Sequence, residues 1–333
     1  MKNMQKIAVI IPYFGKLPPF YKLWEHTALA NSTIDFFLFT NTQEITSRQN
    51  INVVNLSLEE FRSILQEVFD FEIALDVPYK LCDYKPTYGL ALQKWLKDYD
   101  WWGFGDIDLL LGDIRNFFHE NCLNSHDKCC LLGHLSIYRN NEKLNNLFKI
   151  KEEGYPSLNY KEVYSTNDSM YFDEARGMYT KGMLTNISVY TGAPFRDPIP
   201  SARKFYHRRP SEESRFVVLW KDGKCFAVDK KNNHTELLYA HFFRRNFEIL
   251  NLDVDNINTI KVLPTKVYLN EDVCHTDFDV AESIFYKVTF QIRNLLKSVK
   301  RYGIRKTVTR QKWSKDHDQY VHRLEKEYRQ RRY

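Results

Sequence analysis

Two aspartates separated by one apolar residue, Asp106 and Asp108, are the side chains of this sequence best suited to chemistry. They follow the aromatic run Trp101–Phe104, which has the apolar character of a buried strand. If the chain stays extended here, both carboxylates point to the same face, because side chains two residues apart in a strand share a face. Paired carboxylate oxygens suit Mg²⁺ or Mn²⁺, and such an ion can also hold a diphosphate. The alternative is that one aspartate caps the next element while the other faces solvent.

The segments before these aspartates alternate between strand and helix patterns. Continuous apolar runs predict buried strands, and apolar residues at helical spacing predict helices. The predicted strands are Ile7–Ile11, Ile34–Thr40 and Ile51–Leu56, and the predicted helices end near Asn31, begin at a Ser57–Glu60 capping box and cover Tyr88–Leu96. This alternation predicts an α/β fold with a mostly parallel sheet flanked by helices. In such folds ligands bind at the carboxyl ends of the strands, which is where the aspartate pair falls.

Composition agrees with an enzyme and excludes several classes. The chain has 333 residues and 43% hydrophobic content, enough to bury one large core or two modest ones. It contains no glycine-rich phosphate loop, which argues against a kinase, an ATPase or a nicotinamide enzyme. Its six cysteines form no C-x-x-C pair, which argues against a zinc site. Because no secretion signal is predicted, we expect reduced thiols in a cytoplasmic protein and no disulfide framework. The first apolar run is too short for a signal peptide or a membrane span.

Four further residues could contribute to the same site. Lys85 precedes Pro86 at the start of a predicted helix, where a lysine can reach a diphosphate; the alternative is an ordinary loop lysine. His241 lies in a predicted late strand, with Arg244 and Arg245 just beyond it. The histidine could complete the metal shell and the arginines could bind phosphate. A lone histidine in an apolar strand can equally be a core residue.

The C-terminal segment carries the excess positive charge of the chain. Residues 291–333 contain 14 Lys and Arg against 4 Asp and Glu, whereas the whole chain has a net charge of +6. Apolar residues at helical spacing form a stripe in this region: Ile284, Val288, Ile292, Leu295, Leu296 and Val299. A basic amphipathic helix can lie on an anionic membrane surface; the alternative is a stripe that packs on the body. No nucleic-acid partner is predicted, because the body is acidic and lacks a recognition motif.

Several sequence blocks together resemble a known family. In chain order they are KIAVIIPYFG, CDYKPTYG, DYDWWGFGDIDLLLGDI and LLYAHFFRR. They are similar to bacterial GT-A-like glycosyltransferases found among capsule and cell-surface polysaccharide genes, some of them associated with galactofuranose transfer. The resemblance covers about residues 5 to 250. It implies that Pro12, Tyr13 and Phe14 border the nucleotide base. It further implies that Asp106 and Asp108 carry the metal and diphosphate, with His241 as the late metal ligand.

The resulting prediction is a GT-A-like domain over residues 1–280 and a basic helical tail over residues 281–333. The enzyme is expected to use Mn²⁺ or Mg²⁺ to transfer a sugar from a UDP-linked nucleotide sugar, with galactose and galactofuranose as the candidate sugars. The acceptor would be a hydroxyl of a growing, lipid-linked surface glycan at the cytoplasmic face of the membrane. The alternatives are a nucleotidyl- or phosphotransferase that uses the same aspartates, and a non-catalytic module that binds nucleotide or glycan.

An acidic and aromatic segment supplies candidates for the general base. Asp168, Asp173 and Glu174 lie within it. An inverting transferase needs a carboxylate near the acceptor hydroxyl to take up its proton, and Asp173 is the predicted base. The alternative is a helix whose acids are solvated.

Overall fold

The computed structural model describes residues 4–151, 158–198, 215–242, 247–250, 256–278, 288–289, 291–300 and 303–304. Its strands are β1 (Ile7–Pro12), β2 (Ile34–Thr40), β3 (Ile51–Asn55), β4 (Trp101–Gly105), β5 (Leu109–Leu111), β6 (Lys128–Cys129), β7 (Leu135–Arg139), β8 (Val189–Tyr190), β9 (Phe195–Arg196), β10 (Phe216–Lys221), β11 (Lys224–Asp229), β12 (His234–Leu237), β13 (Tyr239–His241), β14 (Glu248–Leu250), β15 (Thr259–Val262) and β16 (Lys266–Leu269).

The helices are mostly short. The α-helices are α1 (Tyr21–Leu29), α2 (Leu58–Gln66), α3 (Leu81–Tyr84), α4 (Tyr88–Ala91), α5 (Gln93–Leu96), α6 (Ile114–Phe117), α7 (Glu120–Ser125), α8 (Glu142–Asn145), α9 (Tyr160–Tyr164) and α10 (Thr180–Leu184). Short 3-10 turns cover Pro78–Lys80, Lys85–Thr87, Leu147–Lys149 and His275–Phe278, and a π-turn covers Ala175–Tyr179.

A seven-stranded sheet in the order β3-β2-β1-β4-β7-β6-β8 forms the centre of the fold. The β3-β2-β1-β4 half is parallel, β7 is antiparallel to both β4 and β6, and β8 returns parallel to β6. Helices cover it on both faces, and the predicted α/β fold with a mostly parallel sheet is confirmed. The three predicted N-terminal strands are confirmed within one residue at each end.

The central strands are apolar throughout because both of their faces are buried. Ala8 and Ile10 pack into one hydrophobic cluster with Trp102, whereas Ile7, Val9 and Ile11 pack into another with Trp101. Successive side chains of a strand point to opposite faces, so each strand supplies both cores. This arrangement explains why the sequence shows continuous apolar runs instead of alternation.

Of two predicted helices, one begins at its predicted capping box and the other is interrupted. The capping box at the start of α2 is confirmed, since Ser57 accepts from the Glu60 N–H and the Glu60 carboxylate accepts from the Ser57 N–H. The predicted helix over Tyr88–Leu96 is divided into α4 and α5 at Leu92, whose φ and ψ are −105° and 26°. At this break the Gln93 side-chain amide donates to the Gly89 carbonyl.

Two smaller sheets complete the described fold. A six-stranded sheet has the order β12-β11-β10-β15-β16-β14 and buries its own apolar cluster. A three-stranded sheet has the order β5-β13-β9. The predicted late strand that carries His241 is confirmed as β13, and it follows β12 after a single residue, Leu238. The chain therefore passes from the six-stranded sheet to the three-stranded sheet at this point, and the latter sheet builds the candidate site.

The predicted tail is described in part. Residues 288–289, 291–300 and 303–304 are helical, while Ile284 and all residues after 304 lie outside the described residues. Val288, Ile292, Leu295 and Leu296 are between 43% and 63% exposed, and Val299 is half-buried, so most of the described part of the apolar stripe faces solvent. Within the residues that the structure describes, no helix combines the length and apolar character needed to cross a bilayer.

Candidate metal and donor site

The predicted aspartate pair lies at the carboxyl end of β4, where the chain changes sheets. The Asp106 N–H donates to the His134 carbonyl at 2.9 Å, and the chain then turns at Ile107 and Asp108. It is not extended through the pair, contrary to the geometry assumed from sequence. The reason is topological: β4 belongs to the seven-stranded sheet, whereas β5 pairs with β13 in the three-stranded sheet.

Strand pairing brings His241 to these aspartates. His241 lies opposite Leu109 in the antiparallel β5–β13 pair, and the Phe242 N–H donates to the Asp108 carbonyl at 3.0 Å. The imidazole Nε2 lies 3.5 Å from Asp108 Oδ1. Asp106, Asp108 and His241 each offer a ligand atom within 4.8 Å of the others. Two carboxylates and an imidazole form a donor set that suits Mn²⁺, and Mg²⁺ is compatible with the oxygens.

Two residues that sequence reasoning missed surround His241. Asp197 follows β9, and its Oδ1 lies 3.1 Å from His241 Nδ1. The His134 ring, on the loop before β7, has its centroid 3.8 Å from that of His241. Burial on its own lowers the pKa of His241, but the Asp108 and Asp197 carboxylates outweigh it and raise the pKa to about 10. No sequence signal marked Asp197 or His134, because neither lies near the aspartate pair along the chain.

Lys85 is part of the site as the core of a buried ion-pair network. Its Nζ lies 2.6 Å from Asp106 Oδ1 and 3.0 Å from Asp173 Oδ2, and it donates to the Gly133 carbonyl at 2.9 Å. An ammonium group has three N–H donors, so these contacts use all of them. Contact with a diphosphate would require Lys85 to leave one of these partners, and its predicted role in donor binding stays a prediction.

Asp173 and Glu174 differ in exposure although they are adjacent. The Asp173 side chain is 4% exposed, whereas that of Glu174 is 28% exposed and lies 3.8 Å from His134 Nε2. Burial raises the pKa of Asp173 to about 8 against the opposing effect of Lys85. Burial likewise raises the pKa of Glu174. Asp168 presents its main-chain carbonyl to the buried Lys80 ammonium at 2.8 Å.

Gly133 joins these groups through its backbone. Its carbonyl accepts from Lys85 and its N–H donates to Glu174 Oε1 at 3.2 Å. A Cβ at this position would lie 2.3 Å from Asp173 Oδ2 and 2.9 Å from Glu174 Oε1. A glycine is therefore required for both acidic side chains to approach the chain before β7.

The pKa values of the two paired aspartates are shifted in opposite directions. Burial raises the pKa of Asp106, with Lys85 acting in the opposite direction. For Asp108 burial also raises the pKa, but His241 outweighs it and the net pKa is lowered. Five acidic side chains thus meet one lysine and two histidines here, and this excess of acidic groups fits a divalent cation. The charge and the ligand types both fit the predicted metal.

The residues implied to border the nucleotide base occupy different environments. The Tyr13 N–H donates to the Phe39 carbonyl, and its pKa is raised by burial and by the charge of Asp108. Pro12 is half-buried at the end of β1, whereas Phe14 is buried and packs 5.7 Å from the Phe61 ring centroid. Arg244 and Arg245, the predicted phosphate ligands, lie outside the described residues.

Comparison with solved structures finds weak similarities. The chain is similar to the galactosyltransferase LgtC in complex with donor and acceptor sugar analogs, with 11% identity, a TM-score of 0.36, and coverage of 71% of this chain and 87% of that chain. It is also similar to the glycosyltransferase GlyE of Streptococcus pneumoniae TIGR4, with 12% identity, a TM-score of 0.26, and coverage of 48% and 42%. TM-scores this low carry no functional argument.

Sequence comparison is informative at the level of the family. No curated protein matches the chain. A family model described as "Family of unknown function (DUF6625)" matches residues 9–271. That match includes the aspartate pair, Lys85, Asp197 and His241, and it spans most of the chain. The chain therefore belongs to the DUF6625 family.

Proposed function

We propose that this protein is a metal-dependent glycosyltransferase that uses a nucleotide-sugar donor. The observation that carries the proposal is the cluster of Asp106, Asp108 and His241 at the carboxyl end of β4. Carboxyl ends of parallel strands are where α/β folds bind ligands. The mixed oxygen and nitrogen donor set and the excess of acidic groups support a divalent cation there.

The side chains have distinct roles in the proposed reaction. A bound Mn²⁺ or Mg²⁺ would supply positive charge to the diphosphate leaving group. Asp106, Asp108 and His241 would hold that ion, and Lys85 would keep Asp106 and Asp173 at a set separation. Tyr13 and Pro12 would border the nucleotide base, with Phe14 supporting them from the core. Arg244 and Arg245 stay proposed phosphate ligands on the resemblance alone.

Asp173 is the proposed general base of an inverting displacement. A carboxylate with a pKa of about 8 is better matched to proton uptake near neutral pH than one with an ordinary value. Glu174 is the alternative, because its side chain is more exposed to an incoming acceptor. The two acids belong to the same network, and turnover of the Asp173→Asn and Glu174→Gln variants distinguishes them.

The donor and acceptor are proposed from the resemblance. We propose a UDP-linked hexose, galactose or galactofuranose, and the hydroxyl of a growing capsule or lipopolysaccharide glycan on a lipid carrier. The exposed apolar stripe at 288–296 and the exposed Arg293, Lys297 and Lys300 support contact with an anionic membrane surface at the cytoplasmic face. Each such basic residue near an anionic leaflet contributes about 1 kcal/mol.

The direct test is nucleotide release from a panel of nucleotide sugars. Full-length protein would be incubated with each donor, with Mn²⁺ or with EDTA, and free UDP would be measured together with sugar transfer to acceptor. We expect metal-dependent UDP release with at least one UDP-hexose. Release of nucleoside monophosphate would instead indicate transfer of a sugar phosphate by a phosphotransferase, and release of sugar 1-phosphate would indicate a nucleotidyltransferase. Thermal stabilisation by donors without turnover of any of them would indicate a binding module.

Membrane contact has its own test. Full-length protein should float with anionic liposomes at low salt and dissociate at high salt. A chain ending at Gly303 should bind less and still act on a short soluble acceptor. Replacement of Leu295 and Leu296 by serine separates the apolar from the electrostatic contribution. If the full-length chain ignores anionic liposomes at low salt, the tail has another role.

A further inference from the structure

His241 is held by contacts on both nitrogens and on its ring face. Nε2 lies 3.5 Å from Asp108 Oδ1, and Nδ1 lies 3.1 Å from Asp197 Oδ1. The His134 ring packs against the imidazole. Both His241 and Asp197 are 4% exposed, so water does not readily substitute for these contacts.

The position of Asp197 follows from strand pairing. β9 runs parallel to β13, with Phe195 opposite Tyr239 and Arg196 opposite Ala240. The next residue along the chain is Asp197 after β9 and His241, the last residue of β13. The same β13 strand pairs on its other side with β5, which follows Asp108. The three-stranded sheet therefore places one carboxylate on each side of a single imidazole.

We propose that Asp197 is a positioning residue that directs His241 Nε2 toward the metal. A metal binds imidazole through the lone pair of one nitrogen, and the other N–H usually donates to a carboxylate or carbonyl. Asp197 accepts from Nδ1–H, so Nε2 faces Asp106 and Asp108. The inference rests on the proposed function only in requiring that Asp106, Asp108 and His241 bind a divalent cation.

A competing arrangement has a different stoichiometry. His134, Asp197 and His241 also offer ligand atoms within 4.8 Å of one another. In that arrangement Asp197 would itself bind a cation, and the protein would hold one ion there and a second at Asp106 and Asp108. The 3.1 Å separation of Asp197 Oδ1 from His241 Nδ1 is a hydrogen-bond distance, which favours the positioning role.

The experiment is a Mn²⁺ titration of the full-length protein followed by the EPR signal of free Mn²⁺. Wild type should bind one Mn²⁺ per chain. Asp197→Ala should bind it about 10- to 100-fold more weakly. Asp197→Asn retains a side-chain oxygen that can accept from Nδ1–H, so its loss should be smaller. Asp35→Asn, which removes a carboxylate partner of Tyr99 outside the site, should leave the affinity unchanged, and thermal melts without metal would check folding.

A second readout reports the imidazole directly. The wild-type protein would be labelled selectively with ¹⁵N-histidine and loaded with diamagnetic Zn²⁺, and the His241 signal would be assigned as the one that the His241→Gln variant lacks. This signal should show a proton on Nδ1 and coordination at Nε2. Asp197→Ala should lose this single signature. Three results would each overturn the proposal: a proton retained on Nε2 in wild type, an equal loss of Mn²⁺ affinity in Asp197→Asn and Asp197→Ala, or binding of two Mn²⁺ per chain.

The outcomes separate this inference from the proposed function. If Mn²⁺ binds and its affinity depends on Asp197 as described, but no donor sugar is transferred, the positioning role holds and the glycosyltransferase proposal fails. If UDP release requires Mn²⁺ but the Mn²⁺ affinity is the same with Asp197→Ala, the function holds and the positioning role fails. Absence of Mn²⁺ and Zn²⁺ binding by wild type overturns both.

Discussion

Two buried lysines near the central sheet lie in opposite electrostatic environments. Lys85 Nζ contacts Asp106, Asp173 and the Gly133 carbonyl. Lys128 Nζ, on β6, has no hydrogen-bond partner among the described residues and lies 4.7 Å from the Tyr138 ring centroid. Burial tends to neutralise both ammonium groups, but for Lys85 the two aspartates outweigh it and raise the pKa. Burial lowers the pKa of Lys128 to about 7.

The difference shows where this fold tolerates charge. A buried ammonium stays charged when nearby carboxylates offset the free-energy cost of its desolvation, and otherwise its equilibrium shifts toward the neutral amine. The carboxylates that stabilise the charged form of Lys85, Asp106 and Asp173, also belong to the candidate site. Changes on the Lys85 side should therefore alter activity and stability together, whereas changes at Lys128 should alter stability alone.

The largest effect is expected at the metal ligands. Asp106→Asn and Asp108→Asn should each reduce sugar transfer on the order of a thousandfold, because a ligand charge that holds the metal at the leaving diphosphate is lost. Initial rates at saturating Mn²⁺ measure this loss. Asp222→Asn, at an exposed left-handed turn position with φ of 52° that asparagine also adopts, is the matched control. A near-normal rate in either ligand variant would contradict the metal site.

A comparable loss of turnover is expected at the base. Asp173→Asn should reduce kcat by about 10²- to 10⁴-fold and leave the KM for donor nearly unchanged, because the base acts on the acceptor. Glu174→Gln and Asp168→Asn are measured in parallel. If Glu174→Gln or Asp168→Asn shows this kinetic pattern and Asp173→Asn does not, that residue is the base and the inverting mechanism stands. If none of the three variants shows it, a retaining mechanism without a dedicated enzymic base is favoured.

Loss of the ammonium at Lys85 should destabilise the fold. Lys85→Met leaves the buried Asp173 and the half-buried Asp106 without their cation, and breaking a buried pair in this way costs about 3 to 5 kcal/mol. Urea denaturation at pH 7 measures the free energy of unfolding, with Lys97→Met at an exposed helix end as control. Wild-type stability in Lys85→Met would show that the network does not depend on this charge.

The smallest expected effect is a stabilisation of the fold, on replacement of Lys128. Between pH 7 and about 10 the unfolded chain binds a proton at Lys128 that the folded chain has partly released, so the contribution of Lys128 to the stability should rise across this range. Lys128→Met removes that pH-dependent cost. It should stabilise the protein by about 2 kcal/mol at pH 7 after the lost cation–π contact is subtracted. Urea denaturation of both proteins at pH 7 and 9.5 tests this, and a Lys128→Met variant that is less stable at pH 7 would contradict it.

Local sequence patterns determined much of the parallel half of the fold. The apolar runs of β1, β2 and β3 marked fully buried strands because both faces of the sheet are covered. The capping box of α2 depends only on Ser57 and Glu60, so neighbouring residues suffice to specify it. Asp106 and Asp108 stood out because a strand end and a carboxylate pair are both local features.

Only the tertiary structure decided which groups complete the candidate site. Asp197, His134 and Gly133 reach it through the pairing of β9 and β13 and through the loop before β7, contacts between residues far apart along the chain. The same is true of Lys85, whose partners lie in three separate segments. Sequence patterns report periodicity and neighbouring residues, whereas hydrogen-bond partners and burial depend on how distant strands pair. The aspartate pair was therefore visible in the sequence, and the network that sets its charge was not.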